Sequence, residues 1–237
     1  GVAFIPISGI DDALAELDRA KALGYVAVTL QSFPNGTNGP TKEDDRFWER
    51  ALEIGMPITP HITFGDRQAP PPKGPAPSDA NAATGMTQHS GNHAPAYTMA
   101  QLIIDGVFER FPELKFHFAE INCAALPSML FYMDRDYLGY NDWFQLKLPK
   151  MPSEYFYEHC LMGMINEPLA LKMGDQMPLE WFAWASDFPH SVGTYPNSRT
   201  YIEESFAHLD PKLTQRIVRD NIANDLGRDL DADITET

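Results

Sequence analysis

Three short apolar runs open the chain: Val2-Ala3-Phe4-Ile5-Pro6-Ile7, Tyr25-Val26-Ala27-Val28-Thr29-Leu30 and Pro57-Ile58-Thr59-Pro60-His61-Ile62. Runs of this length bounded by turn residues read as buried strands. Helical patterns separate them. Asp11–Leu23 repeats Leu14, Leu17, Ala20 and Leu23 at near-helical spacing, with Asp11 as an expected cap and Gly24 past the end. Thr41-Lys42-Glu43-Asp44 resembles a capping box and opens a helix through Phe47, Trp48, Ala51 and Leu52, stopped at Gly55. Strand, helix, strand, helix, strand is the order that builds a parallel sheet with right-handed crossovers.

The alternation continues downstream. Met99–Phe111 reads as a helix and Leu114–Ala119 as a strand. Ala124–Tyr137 reads as a helix with Pro127 in its first turn, and Cys160–Ile165 as a strand. Pro168–Met177 is a weak helix, Trp181–Ala185 a strand, and Ser198–Leu209 and Pro211–Leu226 the last helices. Six strands nearly all separated by helices fit both a doubly wound open sheet and a (β/α)8 barrel. No GxGxxG or Walker motif follows any strand, which argues against a nucleotide site.

Composition narrows the class. The 237 residues carry Lys+Arg 18 against Asp+Glu 33, so 18 − 33 = −15, with 43% hydrophobic and 22% charged residues. That content suits a globular chain and argues against disorder. The acidic balance argues against nucleic acid and anionic lipid as partners, because both demand a basic surface. No apolar run approaches the roughly 18 residues of a membrane span, and no Arg/Lys-led signal peptide is visible. Cys123 and Cys160 sit in apolar stretches and form no CxxC pair, so free thiols and a reducing cytoplasm are expected. The chain begins inside an apolar run with no initiator Met, which predicts an N-terminally incomplete chain. The whole of residues 1–237 is expected to form one domain.

One segment is strongly biased. Residues 64–85 hold Pro70, Pro71, Pro72, Pro75 and Pro77 with Gly, Ser and Asn around them. They are incompatible with a helix or a central strand. A loop this long inside a domain reads either as a binding lid or as a surface excursion.

In parallel α/β folds catalytic groups gather at the C-terminal ends of strands. Three ionisable residues stand there: His61 in Pro57–Ile62, Glu120 after Lys115-Phe116-His117-Phe118-Ala119, and Asp187 after Trp184-Ala185-Ser186. A carboxylate next to an apolar run is costly to bury unless paired or bound to metal. An imidazole and a carboxylate from different strands suit zinc, manganese or iron. Structural alternatives stay open: Glu120 can bind amides at the next helix start, and Asp187 can form an Asx turn before Pro189. His117 alternates with Phe116 and Phe118 and reads as structural. His93 and His89 lie near the Pro-rich segment, within reach of a substrate. His159 and His208 read as surface or interhelical residues.

The segments also resemble a known family. Phe108-Glu109-Arg110-Phe111-Pro112-Glu113-Leu114-Lys115, Phe118-Ala119-Glu120, Met133-Asp134-Arg135-Asp136, Pro152-Ser153-Glu154-Tyr155-Phe156, Trp184-Ala185-Ser186-Asp187-Phe188-Pro189-His190-Ser191, Tyr195-Pro196-Asn197-Ser198-Arg199 and Arg219-Asp220-Asn221-Ile222-Ala223 resemble motifs of the amidohydrolase-related family. This group of metal-dependent barrel enzymes includes aminocarboxymuconate-semialdehyde decarboxylase and the resorcylate-type decarboxylases. The resemblance implies an α/β (β/α)8 TIM barrel in which the six strands are the third to eighth and strands one and two are missing.

The resemblance further implies one divalent ion, zinc first, with manganese or iron as alternatives. His61 and Asp187 match two of its ligands, and Asp187 also matches the proton-transfer group. The first-strand ligand pair has no counterpart here, so this stretch alone is not expected to turn over substrate. Glu120 stands where the named decarboxylases carry a catalytic His, which turns the expectation toward hydrolysis of a C–N or C–O bond by a metal-activated water, with Asp187 and Glu120 catalytic. Non-oxidative decarboxylation of an aromatic or unsaturated acid is the alternative, and a non-catalytic degenerate barrel a third. His190 and His93 are expected to bind a small-molecule substrate, and a homodimer is the implied assembly.

Overall fold

The computed structural model describes residues 1–61, 64 and 94–230. Among the described residues five strands form: β1 (Val2–Phe4), β2 (Ala27–Thr29), β3 (Phe116–Phe118), β4 (Cys160–Met164) and β5 (Phe182–Trp184). β1 pairs with β2, β3 with β4 and β4 with β5, every pair parallel. Ile58 bridges the two groups, pairing with Val28 on one side and Phe116 on the other. Spatial order therefore follows chain order with no reversal. A doubly wound sheet reverses at a switch point, so this order selects the barrel-type winding.

The expected strand Pro57–Ile62 narrows to that single bridge at Ile58. Pro57 and Pro60 lack the N–H that a ladder needs on both sides. Their carbonyls still work: Val28 N–H donates to Pro57 O at 2.9 Å, and Ala119 N–H donates to Pro60 O at 3.0 Å. Thr59 N–H donates to Val28 O at 2.8 Å and His117 N–H to Ile58 O at 3.0 Å. The segment is thus held in sheet register up to His61.

Helices cover the sheet. Ile10–Ala22 is capped by Gly9 with no side-chain bond, so Asp11 is not its cap. Asp11 lies in the first turn and faces Arg46 at 3.0 Å. The Thr41 capping box is present: Asp44 accepts from Thr41 N–H at 2.7 Å and Thr41 Oγ1 from Glu43 N–H at 3.3 Å. It leads through a short 3-10 turn into Asp45–Glu53.

The expected helix Met99–Phe111 divides into Ala94–Ile104 and Val107–Arg110 at Gly106, whose φ is +70°. The Arg110 guanidinium fills the break, donating to the carbonyls of Asp105 and Gly106 at 2.6 and 2.9 Å. Cys123–Ala125 is a 3-10 turn, and the following helix runs on to Phe144. Pro152–His159 forms a helix that the periodicity does not announce, whereas Pro168–Met177 shrinks to Pro168–Leu171. Ser198–Ser205 follows, and the last helical stretch runs Pro211–Gln215, a π turn Arg216–Asp220 and Asn221–Asp225.

Packing between sheet and helices is aromatic. Phe116 on β3 meets Trp48 and Phe108 edge-on at 5.8 and 6.2 Å. His159, expected at the surface or between helices, is buried: it stacks on Phe108 at 4.1 Å, and its Nδ1 lies 2.8 Å from Leu114 O. Burial lowers its pKa, which keeps the ring neutral in the core. Cys123 and Cys160 are free and buried, as expected. Among the described residues no helix is long and apolar enough to cross a membrane.

Candidate active site

The sheet ends in two carboxylates that share an unusual backbone. Glu120 follows β3 and Asp187 follows β5, and each has φ +58°. Left-handed backbone costs a non-glycine residue about 1 kcal/mol or more, and persists only where the surroundings over-determine it. Here they do. Ile121 N–H donates to Gly163 O at 3.0 Å, and a Cβ added at Gly163 would stand 2.9 Å from Phe118 O and 3.2 Å from Glu120 N. Only a glycine on β4 lets the chain turn that tightly past it. At Asp187, His190 N–H donates to Asp187 O at 2.8 Å and Thr194 N–H to Ser186 O at 2.9 Å, folding residues 186–194 back on themselves.

His61 and Glu120 are brought together: His61 Nε2 lies 2.7 Å from Glu120 Oε2. The His61 side chain is 46% exposed and that of Glu120 15%. The carboxylate faces the imidazole of the neighbouring strand end, not the amides of the next helix. One of those amides, that of Ala124, goes to Glu167, just beyond β4. Its Oε2 accepts from Ala124 N–H at 2.9 Å beside Cys123, whose own N–H donates to Ile121 O at 3.1 Å. Burial pushes the Glu167 carboxyl above its ordinary range, and burial with the neighbouring Glu167 pushes the Cys123 thiol well up, so the thiol stays protonated.

Asp187 stands two strands along, about 10 Å across the sheet by the usual strand spacing. Its Oδ2 is buried and has no hydrogen-bond partner among the described residues. An orphaned carboxylate oxygen at a strand end fits a cation or a proton. The donor chemistry of His61 and Asp187 suits a divalent ion, but among the described residues no group of three or more His, Cys, Asp or Glu gathers to hold one. The two residues fit as part of a metal site, not as the whole of it. His190 is exposed in the turn after Asp187. His93, His89 and the Pro-rich residues 65–85 lie outside the described residues.

His117 is structural, as its alternation implies. It is turned away from Phe116 and Phe118, with Nδ1 3.8 Å from Asp225 Oδ2, and neither atom has a hydrogen-bond partner among the described residues. Burial lowers the His117 pKa to about 4 and raises that of Asp225 to about 6, the latter opposed by Lys115. Sequence reading missed Glu167, Gly163 and Tyr201. A carboxylate two residues past an apolar run was the one available signal for Glu167.

Residues 1–158 match the amidohydrolase family, and the chain belongs to that family. Among curated proteins it is similar to decarboxylase orsB of Emericella nidulans, 29% identical over 133 residues, which are 54% of this chain and 39% of that protein. The chain therefore spans well under half the length of the curated relative that it matches. Its fold is shared with 5-carboxyvanillate decarboxylase LigW from Sphingomonas paucimobilis, at a TM-score of 0.70 and 19% identity over 97% of this chain and 67% of that one. It is also shared with a dihydroxybenzoic acid decarboxylase from Polaromonas sp. JS666 carrying manganese and 2-nitroresorcinol, at 0.66 and 20% identity over 94% and 67%. The α/β TIM-barrel class expected from the sequence is therefore the fold of this chain.

Proposed function

We propose that the protein to which this chain belongs is a metal-dependent carboxy-lyase that removes the carboxylate of a hydroxylated aromatic acid. The observation that carries this is the orphaned, buried Oδ2 of Asp187 at the end of β5, in a chain similar to decarboxylases. Hydrolysis, the first expectation, is supported by the family alone and becomes the second reading.

His61 and Asp187 would each contribute one donor to the divalent ion, and manganese moves ahead of zinc because the Polaromonas neighbour carries it. When bound, the ion supplies positive charge for the substrate carboxylate and an adjacent hydroxyl. Asp187 delivers a proton to the ring carbon that bears the carboxylate. The bond to the carboxylate carbon then breaks, its electron pair returns to the ring, and carbon dioxide leaves. Glu120 accepts from His61 Nε2–H and so fixes the tautomer and the plane of the imidazole. His190, exposed beside Asp187, meets the substrate's polar substituents, and His93 remains a proposed contact.

The free, buried thiols are in keeping with a reducing cytoplasm. A homodimer would draw on the exposed apolar side chains of the Leu126–Phe144 helix, Phe131, Leu138, Trp143 and Phe144.

The test is carbon dioxide release from 2,6-dihydroxybenzoate and 5-carboxyvanillate by the manganese-loaded native-length protein. Asp187→Asn should lower the rate about 100- to 10,000-fold, the usual worth of a positioned proton donor. Unchanged release by that variant, or ester and amide hydrolysis in its place, would overturn the proposal.

A further inference from the structure

We infer that Glu167 is a positioning residue that locks the Glu120 turn onto His61 and couples it to the strand leading to Asp187. The inference rests on the proposed role of the strand-end carboxylates and extends it to a residue that contacts neither reacting atoms nor metal. Glu120 keeps a left-handed backbone that is intrinsically unfavourable. On its upstream side the turn is held by the sheet, through Ala119 N–H to Pro60 O at 3.0 Å. Downstream it is held by Ile121 N–H to Gly163 O at 3.0 Å, and then by Glu167, which accepts from the Ala124 amide of the following 3-10 turn at 2.9 Å. Remove the carboxylate, and the 3-10 turn three residues beyond Glu120 loses its anchor.

Glu167 is itself held. Its N–H donates to Tyr201 Oη at 2.9 Å. The Tyr201 ring lies parallel to Trp184, with centroids 6.3 Å apart and an interplanar angle of 20°. Trp184 is the last residue of β5, three before Asp187. One residue past β4 therefore touches the supports of both strand ends that flank it.

The test combines activity with a geometry readout that does not depend on activity. In the native-length, metal-loaded protein, Glu167→Ala should lower kcat about 10- to 100-fold with KM changed less than about twofold, the size of effect an ångström-scale misplacement produces. Glu167→Gln keeps an accepting oxygen and should restore kcat to within about threefold. A crystal structure of Glu167→Ala should show the His61–Glu120 contact opened beyond hydrogen-bond distance, whereas Glu167→Gln retains it. If Glu167→Ala does not fold, Tyr201→Phe serves: it removes only the hydroxyl that holds Glu167, and should lower kcat severalfold with the same KM.

A contact unchanged at 2.7 Å in Glu167→Ala, or in Tyr201→Phe with kcat intact, would overturn the inference. A purely structural role would lower the folded fraction and leave kcat per folded molecule alone. If the unmodified protein proves to be neither decarboxylase nor hydrolase, the catalytic proposal falls, while the crystal contact still decides the role of Glu167.

Discussion

His61 and Glu120 meet at 2.7 Å although 58 residues separate them and the strand that carries His61 is interrupted by two prolines. The contact is made because Ala119 N–H bonds to Pro60 O, which puts the residues that follow each of them side by side at the sheet end.

Glu120 is thus the partner that orients an imidazole expected to bind metal. Glu120→Gln should weaken manganese binding by about 10- to 100-fold, the usual worth of such a second partner. Metal titration followed by calorimetry checks this without any substrate. Equal affinity in the variant and the parent would show that the pair does not tune the metal.

Gly163 makes room for the Glu120 turn. A Cβ there would lie 2.9 Å from Phe118 O and 3.0 Å from Ala119 Cα, both backbone atoms with no freedom to swing aside. Gly163→Ala should cost about 1–3 kcal/mol of stability, as overpacked sites do. Urea midpoints compared with the parent measure it. Activity should fall along with stability, because the displaced atoms belong to the Glu120 turn.

The buried pair His117 and Asp225 sets opposite pH dependences. Burial lowers the folded pKa of His117 to about 4 from its ordinary value of 6.5. Between those values the unfolded state binds more protons, so its contribution to stability is full above pH 6.5 and is lost as pH falls toward 4. Asp225 is raised from 3.8 to about 6. Between those values the folded state binds more protons, so its contribution is full below pH 3.8 and is lost as pH rises toward 6. The two slopes oppose each other between pH 4 and 6. Asp225→Asn should expose the histidine slope, with stability falling on acidification by up to about 1.4 kcal/mol per pH unit. His117→Phe should expose the opposite slope. Denaturant midpoints from pH 4 to 7 distinguish them, and parallel curves in the two variants would sink the assignment.

The Leu126–Phe144 helix leaves Trp143 83% exposed, with Phe131, Leu138 and Phe144 also in solvent. If a second copy covers these side chains, the double change Phe131→Asp and Trp143→Ser should convert the dimer to a monomer in sedimentation. A dimer that survives both changes would place the interface elsewhere.

The sequence was informative where the signal is local. The places of the apolar runs, the cap at Thr41 and the left-handed glycines at Gly24 and Gly55 are properties of a few neighbouring residues, and the structure bears them out, although the strands are shorter than the runs. So does the placement of Glu120 and Asp187 beyond apolar runs, because strand ends follow from where the apolar residues stop.

Tertiary structure decided the rest. The end of the helix at Leu171 involves a side chain from far along the chain, His208, whose Nε2 lies 3.0 Å from Leu171 O. The choice between a doubly wound sheet and a barrel rested on strand order, which hydrophobic periodicity does not contain. The partner of His61, the left-handed backbone at both carboxylates and the grip of Glu167 on the Cys123 turn all join residues far apart in the chain. Local propensity carries no record of such contacts. They arise only when parallel strands come into register and bring their C-terminal ends to one edge.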